Sequence, residues 1–237
     1  MAVDDLPGPV VTFLNVIGVP WPYLNEDEVR RFAGMVRQFG QAVERTHQEA
    51  TTAIANFAQA YQGPATRRMQ SGWTQMSEQH TQELVEGCHV LAEALDVAAD
   101  YIIAQKVEAL AELIGMAATF VADQAASVAT LGLAEAAVPL IIATGKKLLE
   151  TLKQLIIQHI MGEVIEAAAK PLFAKIEKAM SGLDWSQTGS ADSADAGDGF
   201  SIDHGTAGAH LQVLSGHAET LRGHATVLRS GMAGLAF

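Results

Sequence analysis

Residues 61–64 read Tyr61-Gln62-Gly63-Pro64, and this stretch divides two long runs of helical periodicity. Apolar residues recur every three or four positions from Val29 up to the stretch, and again from the stretch to beyond Ile102. A Gly that follows one helix and a Pro that opens the next are typical of a helical hairpin. The sequence therefore predicts an all-α protein built on a long antiparallel hairpin, with helices over about 26–61 and 64–118.

Both runs carry apolar stripes with steps of three and four residues. In the first run the two steps alternate, as in a coiled-coil seam, and in the second run the spacing drifts between 3.5 and 3.67 residues, so any supercoil should be gentle. Because such a stripe is suited to recognising another helical hairpin, we expect part of it to bind a partner. The side chains predicted for this partner-binding seam are Phe32, Val36, Phe39, Val43, Phe57, Met69, Met76, Leu84, Leu91 and Leu95.

A Pro-rich lead-in over residues 1–24 precedes the first helix, and we expect it to be irregular. Trp21 and Tyr23 are expected to pin this lead-in to the helices. Asn25 is the predicted N-cap of the first helix, with Glu28 three residues later as its capping-box partner.

The charge and cysteine content of the chain exclude several classes of partner and site. The 237 residues include 27 acidic and 15 basic side chains, which gives a net charge of −12 at pH 7. Such a field repels nucleic acid and anionic lipid head groups, so neither is an expected partner. The single Cys88 excludes an intrachain disulfide and a cysteine-based zinc site. The N-terminus lacks the basic region of a secretory signal peptide, so we expect any export to use another route.

Beyond the hairpin the sequence predicts further packed helices. Residues 107–145 are rich in small residues, and an amphipathic helix is predicted over about 138–180, with a kink or restart at Pro171. The Ala-rich apolar helices over 107–165 leave a second interpretation open, in which they insert into a membrane or form a channel. Their longest uncharged stretch, residues 124–134, is shorter than the about 20 apolar residues of a spanning helix, which favours packing inside the domain.

These elements predict a domain organisation. A helical domain extends over residues 25–180, and a small, polar, acidic stretch over 181–203 is a flexible linker. Residues 204–237 form a C-terminal amphipathic helix in which a His and, four residues later, a Leu recur with a period of seven. The three copies of this unit begin at His210, His217 and His224.

Motifs that carry catalysis are missing from the sequence. It contains no Gly-rich phosphate loop, no Gly-x-Ser-x-Gly elbow and no His-Glu-x-x-His motif. His89 and Glu93 share one helical face, as do His159 and Glu163, but an isolated pair of this spacing is common in helices. We therefore expect a protein that is not an enzyme, with no catalytic residue, no metal site and no cofactor.

The turn itself resembles that of a known family. Tyr61-Gln62-Gly63, followed by Ala65, Met69 and Trp73, is similar to the turn of the WxG family of type VII (ESX) secretion substrates of actinobacteria and firmicutes. In that family a Trp-x-Gly turn joins the two helices of a hairpin, and here Tyr61 takes the place of the Trp. The resemblance assigns the turn motif to Tyr61, Gly63, Pro64 and Trp73. It implies that Tyr61 covers the end of the hairpin core and that Gly63, with a positive φ, turns the backbone where the first helix ends.

The lead-in and the C-terminal region extend the resemblance to roughly residues 20–180. Trp21-Pro22 ahead of Asn25 is similar to the N-terminal WxG-like domain of large actinobacterial secreted toxins, of the channel-forming necrotizing toxin type. Phe200-Ser201-Ile202-Asp203 resembles the opening of a second WxG-like hairpin. The resemblance implies an export-targeting or partner-binding module of a secreted effector or toxin, at the cell surface or outside the cell, or otherwise cytoplasmic. Its partner would be another WxG-like helical protein or a component of the secretion machinery, with a homodimer as an alternative.

The export signal of the family is Tyr-x-x-x-Asp/Glu, placed after the hairpin. Tyr101 does not fit this pattern, because Gln105 occupies the fourth position. Tyr23 and Asp27 fit it but precede the hairpin, so they are the candidate export signal in this chain. A partner that supplies the signal is the alternative.

Overall fold

A computed structural model describes residues 5–61, 63–76, 81–129, 138–181 and 204–236. The regular secondary structure of these residues is helical, which confirms the all-α prediction. The helices are α1 (Gly8–Ile17), α2 (Glu26–Ala60), α3 (Pro64–Met76), α4 (Gln82–Ala129), α5 (Val138–His159), α6 (Lys170–Ser181) and α7 (His204–Ala233), with a π-helical segment (Ile160–Ala169) between α5 and α6.

The chain divides into two compact units. The first unit comprises Met1–Arg31, Ala94–Glu166 and Ala236–Phe237, and the second comprises Phe32–Glu93 and Ala167–Leu235. The long helices α2 and α4 therefore contribute one part of their length to each unit.

Helix α1 forms within the lead-in, so the prediction of an irregular segment there is wrong. Pro7 is the N-cap residue and Pro9 lies in the first turn, where a missing N–H costs no intrahelical hydrogen bond. The apolar residues that follow have helical spacing and are buried. They are Val10, Phe13, Leu14 and Ile17.

Among the described residues, the glycine with a positive φ is Gly18, which lies in the segment between α1 and α2. Gly18 has φ 68°, and its N–H donates to the carbonyl of Leu14 at 2.9 Å, which ends α1. Trp21 is 2 % exposed, as expected of a residue that pins this segment. Tyr23 is 62 % exposed, so the prediction that it also pins the segment is wrong.

Asn25 caps α2, as predicted. Its side-chain oxygen accepts the N–H of Asp27 at 3.0 Å and the N–H of Glu28 at 3.3 Å. The Glu28 carboxylate lies 3.5 Å from Arg31 and is not paired with the backbone of Asn25, so only the Asn25 half of the capping box forms.

Gly63 has a different role from the predicted one. Its φ lies outside the positive region, and its carbonyl accepts the N–H of Arg67 at 3.1 Å. That bond makes Gly63 the N-cap of α3, with Pro64 at the first helical position, where its fixed φ suits a helix. The last α2 hydrogen bond among the described residues runs from the N–H of Tyr61 to the carbonyl of Phe57, at 2.9 Å. The predicted positive φ is wrong because Gly63 begins the second helix instead of ending the first.

Contacts in the second unit confirm that the two arms of the hairpin are antiparallel. A Cβ added to Gly40 of α2 would lie 3.1 Å from the Cβ of Cys88 in α4, so the two helices approach closely there. His47 Nδ1 of α2 lies 3.4 Å from the hydroxyl of Thr81, just before α4. Gly40 and Cys88 each lie 24 positions from Pro64, and His47 and Thr81 each lie 17 positions from it, so both pairs are symmetric about Pro64 in the sequence. The turn is therefore centred at the predicted position.

The second arm of the hairpin extends further than the predicted end near residue 118. Helix α3 ends at Met76, residues 77–80 lie outside the described residues, and α4 continues to Ala129. Gly115 lies within α4 without ending it, because a single helical Gly costs only about 1 kcal/mol relative to Ala.

In the first unit, α1 packs against α4 and α5. The Phe13 and Phe120 rings lie 5.6 Å apart between centroids. A Cβ added to Gly145 of α5 would lie 3.1 Å from the Phe13 ring, so this glycine makes room for the ring. Tyr101 of α4 stacks on His159 at the end of α5, with ring centroids 4.0 Å apart.

In the second unit, α6 and α7 pack on the hairpin. Leu172 of α6 occupies the space beside Gly87 of α4, where an added Cβ would lie 2.5 Å from Leu172 Cδ1. Gly231 of α7 lies against the sulfur of Met35 in α2. The predicted restart at Pro171 is present, since α6 begins at Lys170 after the π-helical segment. The predicted linker, residues 181–203, lies outside the described residues apart from Ser181.

Candidate functional site

Trp73 of the turn motif belongs to an aromatic cluster in the second unit. Its ring stacks on His47 with centroids 4.9 Å apart and planes at 10°, and His217 meets it edge-on at 5.8 Å. Its indole N–H donates to the Thr51 hydroxyl at 2.9 Å. The cluster therefore joins α2, α3 and α7. His47 and Thr51 were not predicted from the sequence, because they lie away from the apolar stripe of α2.

Burial shifts the histidines of this cluster toward their neutral forms. The pKa of His47 is lowered mainly by burial, with the nearby His217 adding to the effect. The pKa of His217 is also lowered by burial, although a hydrogen bond with the backbone of Thr46 and the charge of Glu49 act in the opposite direction. His224, one heptad further along α7, lies 3.0 Å from the Thr46 hydroxyl. These contacts place two of the three repeated histidines against α2.

Tyr61 lies at the hairpin turn, and its side chain is buried. It is 5 % exposed, and its ring lies 4.6 Å from that of Phe57 between centroids. Gly63 is half-buried next to it, and Pro64 opens α3. The arrangement suits an aromatic that covers the end of the hairpin core.

A buried ion pair holds the start of α2 against α4 in the first unit. Lys106 Nζ lies 3.0 Å from Glu26 Oε1, and both side chains are 0 % exposed. Lys106 also donates to the carbonyl of Leu24 at 2.7 Å. The pair was not predicted from the sequence, although Lys106 follows the stripe residue Ile102 by four positions and therefore lies on the same apolar face of the helix.

The predicted partner-binding seam lies largely inside its own chain. Val36, Val43, Leu91 and Leu95 are at most 7 % exposed. The half-buried members are Phe32, Phe39, Phe57, Met69 and Leu84, and the side chain of Met76 lies outside the described residues. Whether these residues bind a partner stays a prediction. Since several are covered in the folded chain, they are poorly placed to meet one.

A second apolar stripe runs along the exposed face of α4 in the first unit, and we name it the α4 outer seam. Its members follow one another at alternating intervals of three and four residues. They are Ala104, Val107, Ala111, Ile114, Ala118, Val121 and Ala125. Val107 is 51 %, Ile114 46 % and Val121 56 % exposed, and the alanines are exposed as well. The opposite face of α4 supplies core residues such as Leu113 and Phe120, so this helix is apolar on two faces.

Three further observations bear on the predicted absence of chemistry and on the membrane interpretation. An open groove of about 700 Å³ in the second unit is lined by Glu44, His47, Glu86 and His89 among others. Across the described ranges, no three His, Cys, Asp or Glu side chains are grouped as a metal site would require. No helix in the described part of the chain is long and apolar enough to cross a membrane.

The candidate export signal lies at the start of α2. Tyr23 is 62 % exposed, and Asp27 lies in the first turn, where its carboxylate is 3.9 Å from Arg30. The phenol is therefore accessible in the folded chain.

A family model matches the N-terminal three-fifths of the chain. The model of the family described as WXG100 like domain matches residues 3–145. That range includes α1 to α4 and the beginning of α5, and it therefore contains the whole hairpin. No curated protein and no solved structure matches the chain significantly.

Proposed function

The chain belongs to the WXG100-like family, and from this premise we propose that it is a non-enzymatic protein associated with type VII secretion. It acts as an export-targeting or partner-binding helical module of a secreted effector or toxin. The observation that carries the proposal is the family match over residues 3–145, which contains the hairpin and its turn.

The architecture suits a protein that works by binding. The described residues form long helices, and a tight turn joins α2 to α3. An aromatic cluster in the second unit and a buried ion pair in the first hold neighbouring helices in register. A rigid helical surface binds a partner through shape and apolar area without any chemical step. The exposed Val, Ile and Ala side chains of the α4 outer seam provide such an area.

Export would occur through the type VII system. Tyr23 and Asp27 are the residues of this chain that fit the family's signal pattern, and Tyr23 is accessible. The partner would be another WxG-like helical protein or a component of the secretion machinery, which then holds the chain at the apparatus or accompanies it outside.

Cross-linking in living cells tests this function. The tagged chain is expressed in a bacterium with an active type VII system, treated with a short cross-linker and purified under denaturing conditions. We expect mass spectrometry to identify a WxG-like protein or a secretion component in the adduct. The same strain expressing an unrelated tagged helical bundle is the control. Adducts that contain only proteins also captured by the control would overturn the proposal.

A further inference from the structure

Helix α7 lies on the hairpin of the second unit through one row of residues. The row steps by three and four positions alternately, and all of its members are half-buried. They are Leu214, His217, Leu221, His224, Leu228 and Gly231. Among residues 212–233, whose side chains the structure describes, no residue is fully buried. An element that buries so little surface opens at a smaller cost in free energy than the core of a domain.

The hairpin beneath α7 has close contacts that do not involve this helix. Helix α2 meets α4 at Gly40 and Cys88, where an added Cβ would lie 3.1 Å from the Cys88 Cβ. Helix α6 covers Gly87 of α4 through Leu172. Detachment of α7 would therefore leave the two arms of the hairpin and α6 in contact.

Titratable rings from α2 and α7 face each other where the two helices meet. The ring centroids of His47 and His217 are 6.5 Å apart. Trp73 of α3 contacts both rings, since it stacks on His47 and meets His217 edge-on. We propose that α7 is an acid-released strap, which covers α2 and α3 at neutral pH and leaves the hairpin when both histidines of this cluster carry a proton.

The second proton is the one that the docked arrangement does not accommodate. A single imidazolium gains from the face of the Trp73 ring, because an aromatic face attracts a cation. Two imidazolium rings 6.5 Å apart repel each other. That separation is shorter than the screening length of about 8 Å at physiological ionic strength, so salt does not remove the repulsion. Movement of α7 away from α2 relieves it and returns both rings to water.

The groups around the two histidines act in both directions. Burial lowers the pKa of His47 and of His217, and the nearby His217 lowers the pKa of His47 further. The backbone hydrogen bond with Thr46 and the charge of Glu49 raise the pKa of His217, but the effect of burial is larger. Exposed titratable groups also line the groove beside His47, and these are Glu44, Glu86 and His89. Because water screens them, the neutral form of both rings stays favoured while α7 is docked.

The sign and the size of the effect follow from proton linkage. A histidine whose pKa is lower in the docked chain takes up its proton on release, so acid favours release. At about one pH unit below the ordinary histidine pKa of about 6.5, one such histidine raises the equilibrium constant for release by at most about tenfold, and two raise it by at most about a hundredfold. The inference concerns α7 of the purified chain, and it does not depend on the secretion function proposed above.

Hydrogen exchange of the purified full-length chain, measured by mass spectrometry at pH 7.5 and pH 5.5, tests the release. After correction for the pH dependence of the chemical exchange rate, we expect the protection of α7 to fall by about ten- to a hundredfold at the lower pH. Peptides from α2 and α4 should keep their protection. Unchanged protection of α7 would overturn the proposal, and so would an equal loss in all three helices, which is ordinary acid unfolding.

The variant His217→Gln tests whether the cluster causes the response. It keeps the stack of His47 on Trp73 and removes one titrating ring, so the protection of α7 should fall by no more than about tenfold between the same pH values. The pH dependence is the readout, because a contact that is only structural would lower the protection equally at both pH values. His159→Gln is the matched control, since His159 is also half-buried and stacks on Tyr101 in the first unit, and it should respond as the parent chain does. A full response in His217→Gln would contradict the proposal.

A disulfide between α2 and α7 tests whether the response is detachment. A Cβ added to Gly231 would lie 3.9 Å from the Cγ of Met35, and a cysteine at residue 35 would place its sulfur near that position, so the double variant Met35→Cys/Gly231→Cys can be oxidised. The native Cys88 is buried and burial raises the pKa of its thiol to about 11, so it contributes little thiolate. We expect α7 to stay protected at pH 5.5 in the oxidised chain and to lose protection in the reduced one. An equal loss in both states would show that α7 unwinds in place, and the proposal would then be wrong.

Discussion

Replacing Lys106 by Met tests the buried ion pair of the first unit. Lys106 Nζ lies 3.0 Å from Glu26 Oε1 and donates to the Leu24 carbonyl at 2.7 Å, with both charged side chains at 0 % exposure. A Met side chain fills nearly the same space but removes the positive charge, so the Glu26 carboxylate would remain buried without its cation. Removing one partner of a buried ion pair costs about 3–5 kcal/mol. At about 2–4 °C per kcal/mol for a chain of this size, the melting temperature should fall by roughly 6–20 °C.

The double variant Glu26→Gln/Lys106→Met separates the lost charge pair from lost packing. Because it leaves no unpaired charge inside, we expect it to recover most of the stability that the single variant loses. Urea unfolding followed by circular dichroism measures the free energy of unfolding of all three chains, with Lys153→Met on the exposed face of α5 as the control. A loss below about 1 kcal/mol for Lys106→Met, the range of a solvated surface pair, would refute the assignment. A double variant no more stable than the single one would do the same.

Three further predictions concern the histidine cluster and the glycines. The pKa values of His47 and His217 are lowered on folding, so the unfolded chain binds more protons than the folded one in mild acid. The two neutral histidines contribute their full share of the free energy of unfolding above the unfolded pKa of about 6.5, and this share is lost as the pH falls through the lower folded pKa values. The urea concentration at the unfolding midpoint should therefore be lower at pH 5 than at pH 7.5. The decrease should be smaller in His47→Gln. Gly18→Ser should lower the free energy of unfolding by about 1 kcal/mol because Gly18 has a positive φ. Gly63→Ser should leave the melting temperature unchanged or raise it, since Ser is a good N-cap. Equal losses of stability at both positions would contradict the turn described above. Gly87→Val should destabilise the chain by about 1–3 kcal/mol because its Cβ would meet Leu172. Gly72→Val is the control and should not destabilise the chain, because its Cβ would meet nothing within 4 Å. Thermal unfolding compares the two variants.

The hairpin was predictable from the sequence because its signals are local. The alternating spacing of apolar residues identifies α2 and the N-terminal half of α4, and the Gly-Pro pair identifies the turn between α2 and α3. The sequence could not tell which helix Gly63 serves, since a Gly suits both a helix end and an N-cap. The hydrogen bond from the N–H of Arg67 to the carbonyl of Gly63 decides the question.

Helix α1 was missed because four prolines dominate residues 1–24, and their positions relative to the helix start decide whether they break it. The ion pair was missed for another reason. Glu26 stands in the first turn of α2, where an acidic side chain suits the positive helix end without any partner, and Lys106 lies 80 positions further along the chain. Pairing of residues so distant in sequence becomes visible only when the antiparallel register is fixed.

The α4 outer seam shows a limit of pattern reading. When one helix carries two apolar stripes on opposite faces, their periodicities overlap and the segment reads as uniformly Ala-rich. Residues 107–145 were therefore interpreted as a buried or membrane-active stretch. Burial in the structure separates the stripes, with Leu113 in the core and Ile114 exposed.

Dependence of export on the type VII motor tests the central proposal most directly. The amount of the chain in culture filtrate is compared between a strain with an active type VII system and the same strain without its secretion ATPase, with a cytoplasmic enzyme as the marker of lysis. We expect the chain in the filtrate of the first strain only, with a similar or higher amount inside the cells of the second strain. Equal amounts in both filtrates, or retention in the cells of both strains, would contradict it.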